Sequence, residues 1–177
     1  MKYPVAYLIT FTTYGTWLHD DKRGSVDDKH NCYGDDFVVP DLVRCRKEQT
    51  VLKNPPFVLN KNYRKAALNA ILKVCGFRNW FAHAVHVRNN HIHIVVSGEE
   101  KPEKMMTDFK AYATRAIRCF NGNQTTIKKF WTQHGSTKYL WTKSAVVSAV
   151  NYVKNEQGRM MEFASSKSCR APNVSEG

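Results

Sequence analysis

The stretch Val87-Arg88-Asn89-Asn90-His91-Ile92-His93-Ile94-Val95-Val96 ends in the side-chain alternation of a β-strand. Residues two apart on a strand share a face. His91 and His93 therefore project side by side, while Ile92 and Ile94 enter the opposite face. Asn tolerates positive φ, so Asn89-Asn90 suits a two-residue hairpin turn back to a strand over Trp80 to Arg88. In that register His86 lies opposite His93 on the same face, Arg88 lies opposite His91, and His83 points to the other side. Two neutral imidazoles so placed can bind one divalent cation. A lone His-x-His is more often chance alternation on a sheet face, so its surroundings must argue for a site.

Upstream, Tyr3 to Thr13 is rich in β-branched and aromatic residues and reads as a strand. Residues 14–57 carry several Gly and Pro among many charges and form an elaborated connection, with a short helix expected near Pro40 to Leu52. Asn60 can cap a helix from about Lys61 to Val74, with Gly76 after its end. Downstream, Pro102 opens a helix to about Phe120 with Met105, Met106, Phe109, Ala113 and Ile117 as its apolar stripe. Lys138 to Trp141 suits a short strand, and Ser144 to Gln157 a third helix stopped by Gly158. The order is βαββαβ plus one helix. That predicts an α+β, ferredoxin-like (RRM-like) antiparallel sheet, with helices on one face and an extra C-terminal helix. Residues 1–160 form one domain in this reading, and 161–177 a polar, disordered tail.

The chain has 177 residues, 42% of them hydrophobic, with a net charge of +12. That length suits one cored domain, and so strong a positive charge favours a polyanionic partner. No apolar run approaches the roughly 18 residues of a membrane span. The five cysteines are scattered without a Cys-x-x-Cys and read as reduced thiols in a cytoplasm. No cysteine sits at zinc-ligand spacing, and two histidines alone make an incomplete zinc site. No Gly-x-x-x-x-Gly-Lys-Ser/Thr is present, so no nucleotide triphosphate is expected.

The histidine strand, with its Asn-containing turn and hydrophobic flanks, resembles the HUH motif of single-tyrosine transposases, including the REP-associated tyrosine transposases. The resemblance extends to Ala149-Val150-Asn151-Tyr152-Val153-Lys154-Asn155-Glu156-Gln157-Gly158. That segment is similar to the family's tyrosine helix, and Trp131 and Trp141 to its Trp-rich approach. Of Tyr112, Tyr139 and Tyr152, the resemblance selects Tyr152 as nucleophile, with Tyr112 the alternative. The family places a third metal ligand, often Gln, one turn beyond the tyrosine. Helical phase favours Glu156, four residues after Tyr152, with Gln157 the alternative. Ile9 to Leu18 and Arg23 to Asp27 look like a branch of these proteins with a longer first connection, which points toward a domesticated relative. The resemblance implies a single-stranded, hairpin-bearing DNA substrate and a homodimer.

The chemistry is consistent with these residues. A phenol with a pKa near 10 is a poor nucleophile at neutral pH. A divalent cation on His91, His93 and Glu156 or Gln157 would polarise a scissile phosphate, and carboxylate with imidazole suits Mg²⁺ or Mn²⁺. Attack by Tyr152 would give a 5′-phosphotyrosine and a free 3′-OH. Arg88, Lys110, Arg115, Arg118, Lys138 and Lys143, with Lys128, Lys129 and the aromatic Tyr139, Trp131 and Trp141 among them, can hold a single strand by charge and stacking. At least one of these Trp residues is expected in the core. The competing expectations are a non-catalytic RRM-like nucleic-acid binder and a metal-dependent hydrolase that uses water.

Overall fold

The computed structural model describes residues 4–16, 54–122 and 126–166. In chain order they form β1 (Ala6–Thr12), α1 (Lys61–Phe77), β2 (Phe81–Val87), β3 (His91–Ser97), α2 (Pro102–Phe120), β4 (Ser136–Leu140), α3 (Lys143–Asn155) and β5 (Glu162–Ser165). The sheet order is β4-β1-β3-β2-β5, and every pairing is antiparallel. The first four strands with α1 and α2 are the βαββαβ unit that the hydrophobic pattern predicts.

Each face of the sheet has its own core. On one face Ile9, Phe11, Ile92 and Ile94 pack with Ile71 of α1 and with Phe109 and Ile117 of α2. On the other, Ala6, Ala84, Val95 and Leu140 receive Val146, Ala149 and Val153 of α3. The second core is built from small side chains, which seat a single helix close against the strands. Thus α1 and α2 cover one face, as expected, and α3 closes the other.

The caps follow local chemistry. Asn60 Oδ1 accepts the Tyr63 N–H at 2.9 Å and starts α1, and Pro102, whose missing N–H costs nothing at a first helical position, starts α2. Helix α1 runs past Val74 and Gly76 to Phe77. Asn79, at φ 56, then turns the chain into β2. Thr142 caps α3 by accepting the Ala145 N–H.

Four expectations need correction or fall outside the described residues. Neither Asn89 nor Asn90 takes a positive φ, since Asn79 is the one described non-glycine residue that does. Their turn is held instead by tertiary bonds, from Leu59 N–H to Asn89 O at 2.7 Å and from Thr13 N–H to Asn90 O at 2.8 Å. His83 does not point away from the other histidines' face. A β-bulge between Ala82 and Ala84 resets the alternation, and His83 Nε2 meets Ser97 Oγ at 2.6 Å. The tail expected from residue 161 includes a strand, β5, which pairs with β2 and buries Ala164. One apolar pair, Phe163-Ala164, in a polar stretch is too short a pattern to announce a strand. Residues 17–53, with the helix expected near Pro40 to Leu52, and residues 167–177 lie outside the described residues.

Candidate active site

The site is built on β3. His93 pairs with Thr10 of β1 on one side and with His86 of β2 on the other, and His91 pairs with Thr12. Arg88 N–H donates to His91 O, which places Arg88 opposite His91 as expected. Both β3 histidines face α3 and are buried, His91 at 1% exposure and His93 at 5%. Their rings are edge-on, with centroids 4.8 Å apart.

The hydrogen bonds set the ring tautomers. His91 Nδ1 lies 2.7 Å from Asn90 Oδ1. An amide oxygen only accepts, so Nδ1 carries the proton and the buried Nε2 carries the lone pair. His93 Nδ1 lies 2.8 Å from Thr10 Oγ1, and its Nε2 lies 2.9 Å from Gln157 Oε1. Burial, first, and the neighbouring His91, second, lower the His93 pKa to about 3, against the opposing pull of the Gln157 bond. His86 and Arg88 lower it further. Burial also lowers the pKa of His86. Neutral imidazole is the form that can donate a lone pair to a cation.

Tyr152 projects from α3 with its ring centroid 5.7 Å from that of His93, and it is 39% exposed. The nucleophile candidate therefore stands beside the histidines and open to solvent. Tyr112 lies on the other side of the sheet, where it packs on the α1/α2 core and carries the Arg115 guanidinium 4.4 Å above its ring. Tyr139 meets Tyr7 edge-on in that same layer.

The helical phase that favours Glu156 does not extend to it. Helix α3 ends at Asn155, and Glu156 is its exposed C-cap, with its N–H on Tyr152 O. The chain turns there and swings Gln157 inward. Gln157 is 5% exposed, bonds His93, and directs its Nε2 toward Tyr152 O at 3.4 Å.

These residues fit a divalent cation. Among the described residues no three His, Cys, Asp or Glu side chains converge, so the donor set is two imidazoles and a carboxamide oxygen. Gln157 Oε1 only accepts, so His93 Nε2 carries the proton between them and Thr10 Oγ1 donates to Nδ1. A cation bound there would replace that proton and draw on both Nε2 and Oε1. Asn90 and Thr10 would be the outer partners that orient the two rings. The sequence marks Asn90 only as a turn residue beside His91, and it gives no hint of Thr10, which reaches His93 only through the β1–β3 register.

The family model described as transposase IS200-like matches residues 50–157, more than half of the chain. The chain belongs to the IS200-like transposase family. A solved structure described as a REP-associated tyrosine transposase bound to a REP hairpin is 13% identical, with a TM-score of 0.48 over 88% of this chain and 67% of that one. No curated protein sequence gives a significant match.

In this member of the family the basic residues divide by place. Arg88 is beside the histidines, its Nη1 donating to Arg159 O at 3.0 Å. Lys138 and Lys143 are exposed on β4 and at the start of α3. Arg115 and Arg118 are exposed on α2, away from the histidine face, and Arg118 lies 5.5 Å over the Phe130 ring. Lys110 is differently placed. Its ammonium donates to Thr132 O, Gln133 O and His134 O at 2.9, 3.2 and 3.1 Å. Trp131 is core, at 7% exposure, and donates to Lys110 O and Thr114 Oγ1, whereas Trp141 and Tyr139 are exposed and stacked on each other.

Proposed function

We propose that this transposase-family protein cuts and rejoins single-stranded DNA through a covalent link to Tyr152. The observation that carries the reading is the convergence of Tyr152, His93 and Gln157 on one small region of the sheet face. In the proposed step the Tyr152 phenolic oxygen bonds to phosphorus and gives up its proton. The P–O3′ bond breaks, and the leaving oxygen takes up a proton. The product is a 5′-phosphotyrosine and a 3′-OH. A second 3′-OH can reverse the step and join strands, so the phosphodiester energy is kept and no nucleotide triphosphate is needed.

A bound Mg²⁺ or Mn²⁺ would supply charge neutralisation at the scissile phosphate. His91, His93 and Gln157 are the residues that would hold it. Arg88, at the rim of the same site, is the basic side chain best placed to meet a phosphate oxygen. Lys138 and Lys143 can extend that contact along the strand. Family membership supports a hairpin-bearing substrate and a homodimeric assembly. The sheet face an RRM would use is closed here by α3, which argues against a simple RNA-type binding platform. No helix among the described residues is long and apolar enough to cross a membrane.

The test is a denaturing gel of labelled single-stranded hairpin oligonucleotides incubated with the protein and Mn²⁺. A covalent protein–DNA band is the expected result. Free cut product without the band would mean that water is the nucleophile. Binding without cleavage would make the protein a DNA-binding relative.

A further inference from the structure

His86 shares a sheet face with His91 and His93 and stands opposite His93. By position it is a natural third imidazole for a metal. Its hydrogen bonds say otherwise. Nδ1 is 2.8 Å from Val153 O; a carbonyl only accepts, so Nδ1 carries the proton. Nε2 is 3.1 Å from Met161 N; an amide only donates, so Nε2 supplies the lone pair. Both ring nitrogens are engaged in one neutral tautomer. Phe163 of β5 closes edge-on over the ring, with centroids 5.9 Å apart.

The two groups held by His86 flank the catalytic end of α3. Val153 follows Tyr152 in the chain, and Met161 leads into β5. Gln157 lies between them. Beyond Met161 the chain pairs with β2, Glu162 opposite Val87 and Phe163 opposite His86. At its other end α3 follows β4 after only Trp141 and Thr142. Strands β4 and β5 are the opposite edges of the sheet. The helix is therefore stitched at both ends into the sheet of its own chain.

We infer that His86 is a positioning residue that brackets the tyrosine helix through Val153 and Met161 and, with β5, holds Tyr152 and Gln157 against the histidines of the same chain. The catalytic consequence rests on the reaction proposed above; the bracket itself does not. His86 acts through the helix and touches neither DNA nor metal.

The experiment compares wild type, His86→Leu and His86→Asn by amide hydrogen exchange, Mn²⁺ titration and single-turnover cleavage. His86→Leu removes both bonds, and exchange across residues 153–165 should accelerate about tenfold or more as the segment opens locally. Mn²⁺ affinity should fall less than in His91→Ala, and the cleavage rate should fall with little change in DNA affinity. His86→Asn retains a donor on the Val153 side, so it should protect residues 153–157 better than Leu does while leaving Met161 equally exposed. If the Leu variant does not fold, this Asn pattern carries the test. Unchanged exchange with Mn²⁺ affinity lost as in His91→Ala would make His86 a ligand and overturn the inference, as would no change in either. If wild type cleaves nothing, the proposed reaction fails, and the exchange data still decide the bracket.

Discussion

Gln157 Oε1 lies 2.9 Å from His93 Nε2, while Glu156, its neighbour, stands exposed at the end of α3. One residue of chain separates the buried carboxamide from the solvated carboxylate. The metal affinity of variants should follow this geometry and not the charge. Gln157→Ala should weaken Mn²⁺ binding by about tenfold or more, the scale seen for partners of metal sites. Glu156→Ala should change it little. Isothermal titration reads both, and a larger loss from Glu156→Ala would show that the carboxylate swings in when metal binds.

Tyr152→Phe removes one oxygen from a ring that is 39% exposed and touches His93 edge-on. The ring contact survives the change, so melting temperature and hairpin affinity should stay near wild type. The covalent adduct should disappear from denaturing gels. An adduct that persisted would have to come from another tyrosine, and Tyr112 is an implausible source because it packs on the far side of the sheet.

Much of this site was legible because it obeys short periods. Alternation in β3 puts His91 and His93 on one face whatever the rest of the chain does, and the register with β2 follows from a turn at Asn89-Asn90. Asn60 and Pro102 announce their helices by chemistry that acts within one turn. What escaped depends on events the local pattern does not encode. The phase argument for Glu156 assumes that the helix continues, but α3 stops at Asn155 and the chain re-enters the site through Gln157. Strand β5 offers four residues of weak pattern and exists because β2 has an open edge to pair. Lys110 looks like a DNA contact from charge alone, yet three loop carbonyls converge on it only in the folded chain.

Lys110→Met therefore tests a structural role against a DNA role. It removes the ammonium that gathers the carbonyls of residues 132–134, and should cost roughly 1–2 kcal/mol of stability with little loss of affinity for DNA. Burial lowers the Lys110 pKa to about 8 from the usual 10.5. Between those values the unfolded chain binds more protons, so wild-type stability should rise with pH across that window, an increment the Met variant lacks. Denaturant melts at pH 7.5 and 9.5 read both effects. A large loss of DNA affinity without loss of stability would return Lys110 to the interface.

Gly135 ties the stability of the fold to the geometry of the site. A Cβ on it would sit 2.6 Å from Thr10 O and 2.7 Å from Met106 Sδ. Methionine can move, but the Thr10 carbonyl belongs to a central part of β1. Thr10 also holds His93 Nδ1 through its hydroxyl. Gly135→Ala should cost about 1–3 kcal/mol, the usual range for overpacking, and should weaken Mn²⁺ binding as well. Thr10→Val should reproduce the metal effect at a smaller cost in stability. Full Mn²⁺ affinity in both variants would remove Thr10 from the set of residues that orient His93.

The stitching of α3 at both ends bears on how subunits cooperate. In the proposed reaction Tyr152→Phe would lack the nucleophile and His91→Ala a ligand, so each should be inactive alone. If α3 crossed to a partner, mixing the two would create a composite site with Tyr152 from one chain and His91 from the other. Two residues join β4 to α3, and the chain that leaves α3 is bonded to His86 and paired with β2. Crossing would require β4 or β5 to unzip from its own sheet. The mixture should therefore remain inactive, even if light scattering shows a dimer. Recovery of the covalent adduct in the mixture, read on a denaturing gel with differently sized subunits, would show that the helix does exchange and that the strands at its ends release it.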